Sequence, residues 1–186
     1  MPLYLLVAGR RACFRRPEFK RDLITYDAIT PPVARIIFER LYHPPGLHWS
    51  IDRIKILNPI KRGWEPATSG DESRRILTLH DVGYRLSATI KDLSGHDRCD
   101  DHELEFNKQI SLAATNPIHL GLREFTARIA TASSQSPEDW ADRPIDLGWM
   151  PFDTGKGPGA EARFFHAVAV AGVIDLTNLN GDSFAT

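Results

Sequence analysis

Two stretches of this chain gather side chains that can do chemistry. Residues 96–102 read His96-Asp97-Arg98-Cys99-Asp100-Asp101-His102, which is two imidazoles, one thiol and three carboxylates in seven positions. Such donors can hold Zn²⁺ or a harder cation. The segment lacks the paired Cys-x-x-Cys spacing of a structural zinc site, and no second cluster accompanies it. Its plainer reading is a helix N-terminus, with Asp100 as cap and acidic neighbours matching the dipole. We therefore expect no metal and no cofactor. The other stretch is basic. Arg10, Arg11, Arg15, Arg16, Lys20 and Arg21 are interleaved with Phe14, Phe19 and Tyr26, a pattern that suits phosphates for the cations and bases for the rings. The competing reading sends Phe14 and Phe19 into the core. Lys61, Arg62 and Trp64 form a second, smaller basic group.

These cations belong to an uneven charge distribution. Residues 1–62 hold 12 Lys and Arg against 5 Asp and Glu, and residues 63–186 hold 11 against 19, so a net charge of −1 conceals +7 and −8. One face would suit a polyanion and the other a basic partner. With 186 residues, 42% hydrophobic and 25% charged, the chain reads as globular and can bury a core without staples. Its first apolar run, Leu3 to Ala8, is too short for a signal-peptide core or a membrane span. We expect a cytoplasmic protein with no membrane contact. Cys13 and Cys99 are then expected as free thiols.

The elements that must position these groups follow from periodicity. Leu3–Ala8 reads as a buried strand and residues 10–21 as a loop. Thr30-Pro31 opens a helix over 31–42, with Val33, Ile36, Ile37 and Leu41 at helical spacing. Residues 48–60 alternate as a strand that slips near Asp52-Arg53, the mark of a bulge. Residues 63–73 read as loop and 75–90 as strand. Residues 100–114 read as a helix with Leu104, Phe106, Ile110 and Leu112 in the core. Residues 120–129 read as strand. The order strand–helix–strand–strand–helix–strand predicts an α+β, ferredoxin-like (RRM-like) domain over 1–130. The usual RNP aromatic signature of RRM modules is absent. Residues 131–145 read as a linker, and 146–186 as a small antiparallel β-appendage built from strands at 146–152 and 162–176, with a frayed end after 178.

Short blocks in fixed order add a resemblance. They are Cys13-Phe14-Arg15-Arg16-Pro17-Glu18-Phe19-Lys20, Thr25-Tyr26-Asp27-Ala28-Ile29-Thr30-Pro31-Pro32, Leu41-Tyr42-His43-Pro44-Pro45 and Asp52-Arg53-Ile54-Lys55-Ile56-Leu57-Asn58-Pro59-Ile60. His119-Leu120-Gly121-Leu122-Arg123-Glu124-Phe125 and Leu147-Gly148-Trp149-Met150 with Phe152-Asp153 follow them, and Arg163-Phe164-Phe165, with Ala167 and Gly172-Val173-Ile174 after it, comes last. Spread from about residue 7 to 176, they resemble the Cas-five family of CRISPR-associated proteins, in its type I-C (Dvulg) branch.

The resemblance implies a RAMP-type ferredoxin-like fold and a place in the type I-C surveillance complex, Cascade. It implies binding of pre-crRNA and crRNA at the repeat-derived 5′ handle, contacts with the backbone and large subunits, and target DNA as a further partner within the complex. It also implies metal-independent cleavage of the precursor, in which a ribose 2′-OH attacks the adjacent phosphate. That cut needs a base, an acid and a stabiliser of the charged phosphorane. The family supplies a Tyr after the first helix, matched by Tyr42, and a Lys-His pair at the second helix. His102 matches the His, while Asp101 stands where the Lys would be. Lys91 and Arg98 are nearby cations that could replace it. Tyr26 matches a structural turn. Tyr42 as a core aromatic and His102 as a surface side chain remain open alternatives, as does a non-catalytic subunit that caps the 5′ handle. Together these readings place a cationic surface from the first third of the chain beside the His102 imidazole.

Overall fold

The computed structural model describes residues 2–43, 45–66, 75–92, 99–112, 117–133, 141–154 and 161–185, the side chains of residues 92 and 99–101 apart. Its elements in chain order are β1 (Leu3–Ala12), β2 (Leu23–Ile24), α1 (Pro31–Leu41), β3 (Leu47–Ile56), β4 (Lys61–Pro66), β5 (Arg75–Asp92), α2 (Cys99–Leu112), β6 (Arg128–Thr131), β7 (Ile145–Asp153), β8 (Arg163–Ala169), β9 (Val173–Asp175) and β10 (Phe184–Ala185).

The main sheet has the order β6-β1-β5-β3-β9, with β2 and β4 pairing the first part of β5. All pairings are antiparallel except that of β2 with β5. The four strands β6-β1-β5-β3, joined through α1 and α2, give the expected α+β arrangement. In β1, Leu3, Leu5 and Val7 are buried at alternate positions. The register sets them opposite Ala88, Leu86 and Tyr84 of β5. Trp49, Ile51, Ile54 and Ile56 extend the same apolar layer along β3. The register between β3 and β5 shifts between Ile51 and Arg53, at the expected slip. That extra residue keeps Ile51 and Ile54 both facing inward.

β5 serves two partners by bending. Asp81 has φ +51, an uncommon left-handed conformation for a residue with a side chain. Asn58 Nδ2 donates to its carbonyl at 2.7 Å. Before the bend, residues 75–80 pair with β4; after it, residues 84–92 pair with β3.

A second sheet has the order β10-β8-β7. Between β8 and β9, Ala171 and Gly172 both have positive φ, +49 and +74, and Val170 and Val173 exchange backbone hydrogen bonds at 2.9 Å. Two successive left-handed residues are the signature of a type I′ turn. Residues 162–176 are therefore not one strand. The turn carries the chain from the small sheet to β9 on the main one.

Several sequence expectations are corrected. Of the loop expected over 63–73, residues 63–66 are part of strand β4, because β5 extends far enough to pair with them, and residues 67–73 lie outside the described residues. Residues 120–127 are turns with one bridge, His119 to Thr126, rather than strand. Leu104 and Leu112 are exposed, at 75% and 52%. Each lies two positions from Phe106 or Ile110, hence roughly 200° round the helix. Thr30 occupies the cap position of α1 but makes no side-chain capping bond. The end of the chain is not frayed through residue 185, since β10 pairs with β8. Of the linker reading, residues 134–140 lie outside the described residues, while Thr131 and Ile145 are strand residues. No helix among the described residues is long and apolar enough to cross a membrane.

Candidate active site and nucleic-acid interface

Three aromatic rings set the position of Tyr42 and His102. Phe38 of α1 and Phe106 of α2 stack nearly parallel, 5.4 Å apart with 11° between their planes. Trp49 of β3 packs on both, at 4.8 and 5.2 Å. All three are buried to 1% exposure or less. Such clusters dominate core energetics, and truncating one ring to alanine costs about 3–5 kcal/mol. Tyr42 lies four residues after Phe38, and its N–H donates to the Phe38 carbonyl at 2.9 Å. His102 lies four residues before Phe106 on α2. Residues four apart share a helix face, so locking the two phenylalanines together brings the tyrosine and the histidine together one turn away. The Trp49 indole N–H donates to the Tyr42 carbonyl at 2.8 Å, fixing the backbone where α1 ends.

The Tyr42 hydroxyl and His102 Nδ1 are hydrogen-bonded at 2.8 Å, and the pair is half-buried. With a neutral ring protonated at Nε2, the phenol donates to Nδ1; with an imidazolium, Nδ1–H donates to the phenol oxygen. In both of these states Nε2 carries a proton it can deliver; in the neutral tautomer protonated at Nδ1, Nδ1–H donates to the phenol oxygen and Nε2 is left to accept one, and in every case the bond holds the ring. This is the arrangement a general acid or base needs from its orienting partner. The fourth-residue spacings Phe38–Tyr42 and His102–Phe106 are visible in the sequence and could have flagged the pairing.

His48 and Lys91 lie near this end of the sheet, directly opposite each other across β3 and β5. Both are exposed. Partial burial, then the charge of Arg35, lowers the His48 pKa from its ordinary value. Arg35 is mostly buried and pairs with Asp153 at 3.6 Å. Lys91 makes no ion pair among the described residues. Arg98, with His96 and Asp97, lies outside the described residues. So does the geometry that a metal at residues 96–102 would need, along with the Asp101 side chain. Among the described residues, no three His, Cys, Asp or Glu side chains group as metal ligands.

The basic stretch occupies the other end. Arg10 and Arg11 are the last exposed residues of β1, and Arg15, Lys20 and Arg21 are exposed on the following loop. Arg11 pairs with Glu65 at 2.6 Å and lies over the Phe125 ring. Arg16 is half-buried over Tyr26 and pairs with Glu18. Lys61 pairs with Asp81 at 3.4 Å, and Arg62 with Asp27 at 2.6 Å. Phe14 and Tyr26 are buried at 1% and 2% exposure, whereas Phe19 is 41% exposed. Of the three rings read as stacking candidates, only Phe19 reaches solvent. Tyr26 is structural: the neighbouring Thr25 hydroxyl accepts from Phe14 N and donates to the Tyr26 carbonyl. Cys13 is a buried free thiol; burial, then Glu124, pushes its pKa up to about 11, which leaves it a poor nucleophile.

The register shows how far apart these groups are. Arg11 sits opposite His80, and His80 opposite Lys61. Lys91 sits opposite His48, next to the Trp49–Ile90 pair. His80 and Lys91 are eleven residues apart on β5, roughly 35 Å at about 3.3 Å per residue, less what the bend at Asp81 takes up. The structure brings Tyr42 and His102 together. It does not bring the cationic stretch to them, against the expectation of one surface holding both.

Fold and site together define an α+β protein with two helices on an antiparallel sheet, presenting a phenol–imidazole pair at one end and clustered cations at the other. The chain belongs to the Cas5d family. It is 31% identical, over 92% of its length and 93% of the relative's, to the CRISPR pre-crRNA endoribonuclease Cas5d of Mannheimia succiniciproducens. It is 29% identical to the Thermus thermophilus protein of the same name, over 81% of this chain and 72% of that one. No protein-family model matches the chain. Among solved structures, a CRISPR-associated protein superposes with a TM-score of 0.79 at 22% identity, covering 100% of this chain and 95% of that one. A functionally uncharacterized protein from Streptococcus mutans superposes with a TM-score of 0.76 at 23% identity, covering 95% and 92%. These two establish the likeness of fold.

Proposed function

We propose that this protein is a pre-crRNA endoribonuclease that binds the repeat and keeps hold of its 5′ handle as a subunit of the type I-C Cascade complex. The observation that carries this reading is the 2.8 Å bond between Tyr42 and His102, in a chain whose Cas5d relatives are named for that cleavage. The reaction is a metal-independent transesterification. The 2′ oxygen bonds to the adjacent phosphorus as its proton passes to a base. The bond from phosphorus to the 5′ oxygen breaks, and that oxygen takes a proton from an acid. A 2′,3′-cyclic phosphate and a free 5′-hydroxyl result. His102 Nε2 exchanges one of these protons, and Tyr42 holds the ring. The backbone subunit and large subunit are the protein partners of this reading, with crRNA and target DNA as its nucleic acids.

Asp101 favours a second reading. A carboxylate where a cation would face the phosphate opposes the developing negative charge, and loss of one preorganised stabiliser costs on the order of 10²- to 10³-fold in rate. On that reading the chain caps RNA cut by another enzyme. Incubation with the cognate repeat RNA in EDTA separates the two. Cleavage that persists in EDTA, ends in a cyclic phosphate and vanishes in His102→Ala supports the enzyme. Tight binding without cleavage supports the cap. Cleavage by His102→Ala at the wild-type rate refutes the assigned role of the imidazole.

A further inference from the structure

A cleft of about 740 Å³ opens to solvent where β1 ends, at the far end of the sheet from Tyr42 and His102. Its size falls within the roughly 300–1,000 Å³ of ligand-binding clefts. Three arginines, Arg10, Arg11 and Arg128, are among its lining residues. Arg128 starts β6 and sits opposite Ala8 of β1, so neighbouring strands supply all three. The sequence alone does not single out Arg128, because its partner across the sheet is 120 residues away.

The cleft is built into the fold. Its wall is the turn segment around residues 124–127, which closes on β1 because residue 9 is glycine. A Cβ there would lie 2.4 Å from Leu120 Cδ1. Opposite charge is present but mostly engaged elsewhere. Asp81 is paired with Lys61, and Arg11 is tied to Glu65, leaving Glu124 as the other lining carboxylate. Arg10 and Arg128 are exposed and make no ion pair among the described residues. Arg11 lies over the buried Phe125 ring, its Cζ 5.1 Å from the centre, and is held by Glu65, contacts that order its planar fork before any ligand arrives. Planar, partly ordered guanidinium groups match phosphate oxygens two at a time. An open cleft suits a chain passing through better than a small molecule enclosed.

We propose that this cleft is a second, non-catalytic RNA site that grips the phosphodiester backbone of a single-stranded part of the transcript cut at Tyr42 and His102, and it rests on that reading for its ligand. At about 3.4 Å or more per nucleotide, ten nucleotides or fewer cover the length of β5 from His80 at the cleft to Lys91 near the other end, which is at most roughly 35 Å. Grip and cut are then separable. Residues of the cleft set affinity, and residues at the helix ends set the rate.

The test uses repeat RNA carrying 2′-O-methyl groups throughout, which can be bound but not cut by 2′-OH attack. Its dissociation constant is measured by fluorescence anisotropy across a KCl series. The double variant Arg10→Ala/Arg128→Ala is expected to weaken binding roughly tenfold or more. It is also expected to lower the slope of log affinity against log salt by about 1.4, since each single-strand phosphate contact contributes about 0.7. The lysine double variant, Arg10→Lys/Arg128→Lys, keeps the charge and is expected to restore the slope. With unmodified RNA the alanine variant raises KM and leaves kcat at saturation unchanged. His102→Ala does the reverse, removing cleavage while binding stays, so failure of the cleavage reading and failure of this one give different results. An unchanged dissociation constant and salt slope in a folded alanine variant overturns the proposal and leaves the cleft to an acidic protein surface.

Discussion

Tyr42→Phe removes one oxygen atom and keeps the ring, so it tests what the hydroxyl does for His102. The lost contact is the 2.8 Å bond to Nδ1. The Phe38–Trp49–Phe106 cluster and the Trp49 bond to the Tyr42 carbonyl do not involve the hydroxyl and persist. In the ground state a neutral hydrogen bond of this kind contributes about 0.5–1.5 kcal/mol net. For a domain of this length that corresponds to a fall in Tm of roughly 1–6 °C. In the proposed mechanism the ring carries a positive charge for part of the cycle. A hydrogen bond to a charged group is worth about 1.5–3 kcal/mol, hence a roughly 10- to 150-fold loss in kcat. Single-turnover cleavage of repeat RNA in EDTA reads kcat, and anisotropy with the methylated RNA reads affinity, which is expected to hold. Wild-type kcat in Tyr42→Phe, in an enzyme that His102→Ala inactivates, would refute the argument that the phenol orients the imidazole.

Two further outcomes follow from local geometry. Gly121 has φ +92, and a Cβ there would lie 1.8 Å from the Cys13 carbonyl oxygen; Gly121→Ala is expected to cost at least about 3 kcal/mol, seen as a Tm loss of roughly 6–12 °C, and a loss under 2 °C refutes the close approach. His48 has its folded pKa held below 6.5 by burial and by Arg35, so the unfolded chain binds that proton more readily and stability falls as pH drops through about 6.5; His48→Gln is expected to flatten this part of the pH–stability curve, and an NMR titration midpoint at or above 6.5 contradicts it.

The parts of the fold legible in the sequence are those fixed by short-range pattern. The short apolar run gives β1 as far as Ala8, short of its end at Ala12, and alternation gives β3 and its slip at Asp52-Arg53. Helical spacing and the Thr-Pro start gave α1, and Phe106 and Ile110 were correctly placed inside α2. What local pattern could not carry was long-range pairing. Residues 63–66 have loop composition, yet they belong to a strand because β5 continues past its bend to meet them. The segment after His119 is apolar enough to suggest a strand, but Gly121 takes a left-handed turn against Cys13. Phe14 falls among arginines in the sequence and still enters the core, packing its edge on Tyr84 at 6.1 Å. Tyr42 and His102 were chosen through a family resemblance; their hydrogen bond required the stacking of Phe38 on Phe106. The separation of the arginines from the imidazole depended on strand register, which composition does not encode.

The path of the chain after β8 limits what can be removed from this protein. β9 covers only Arg53–Lys55 of β3, but it does so where the bulge has disturbed the ladder, and the Arg53 guanidinium clasps Asp175 across that seam at 3.0 Å. Leu176 N and Ile56 N add backbone bonds on either side. Arg35 reaches from α1 to Asp153 at the end of β7. A cut placed after β6 would strip this border of its partner and leave bare amides and carbonyls as a template for sticking to other chains. The last third of the polypeptide is thus a selvedge on the main sheet.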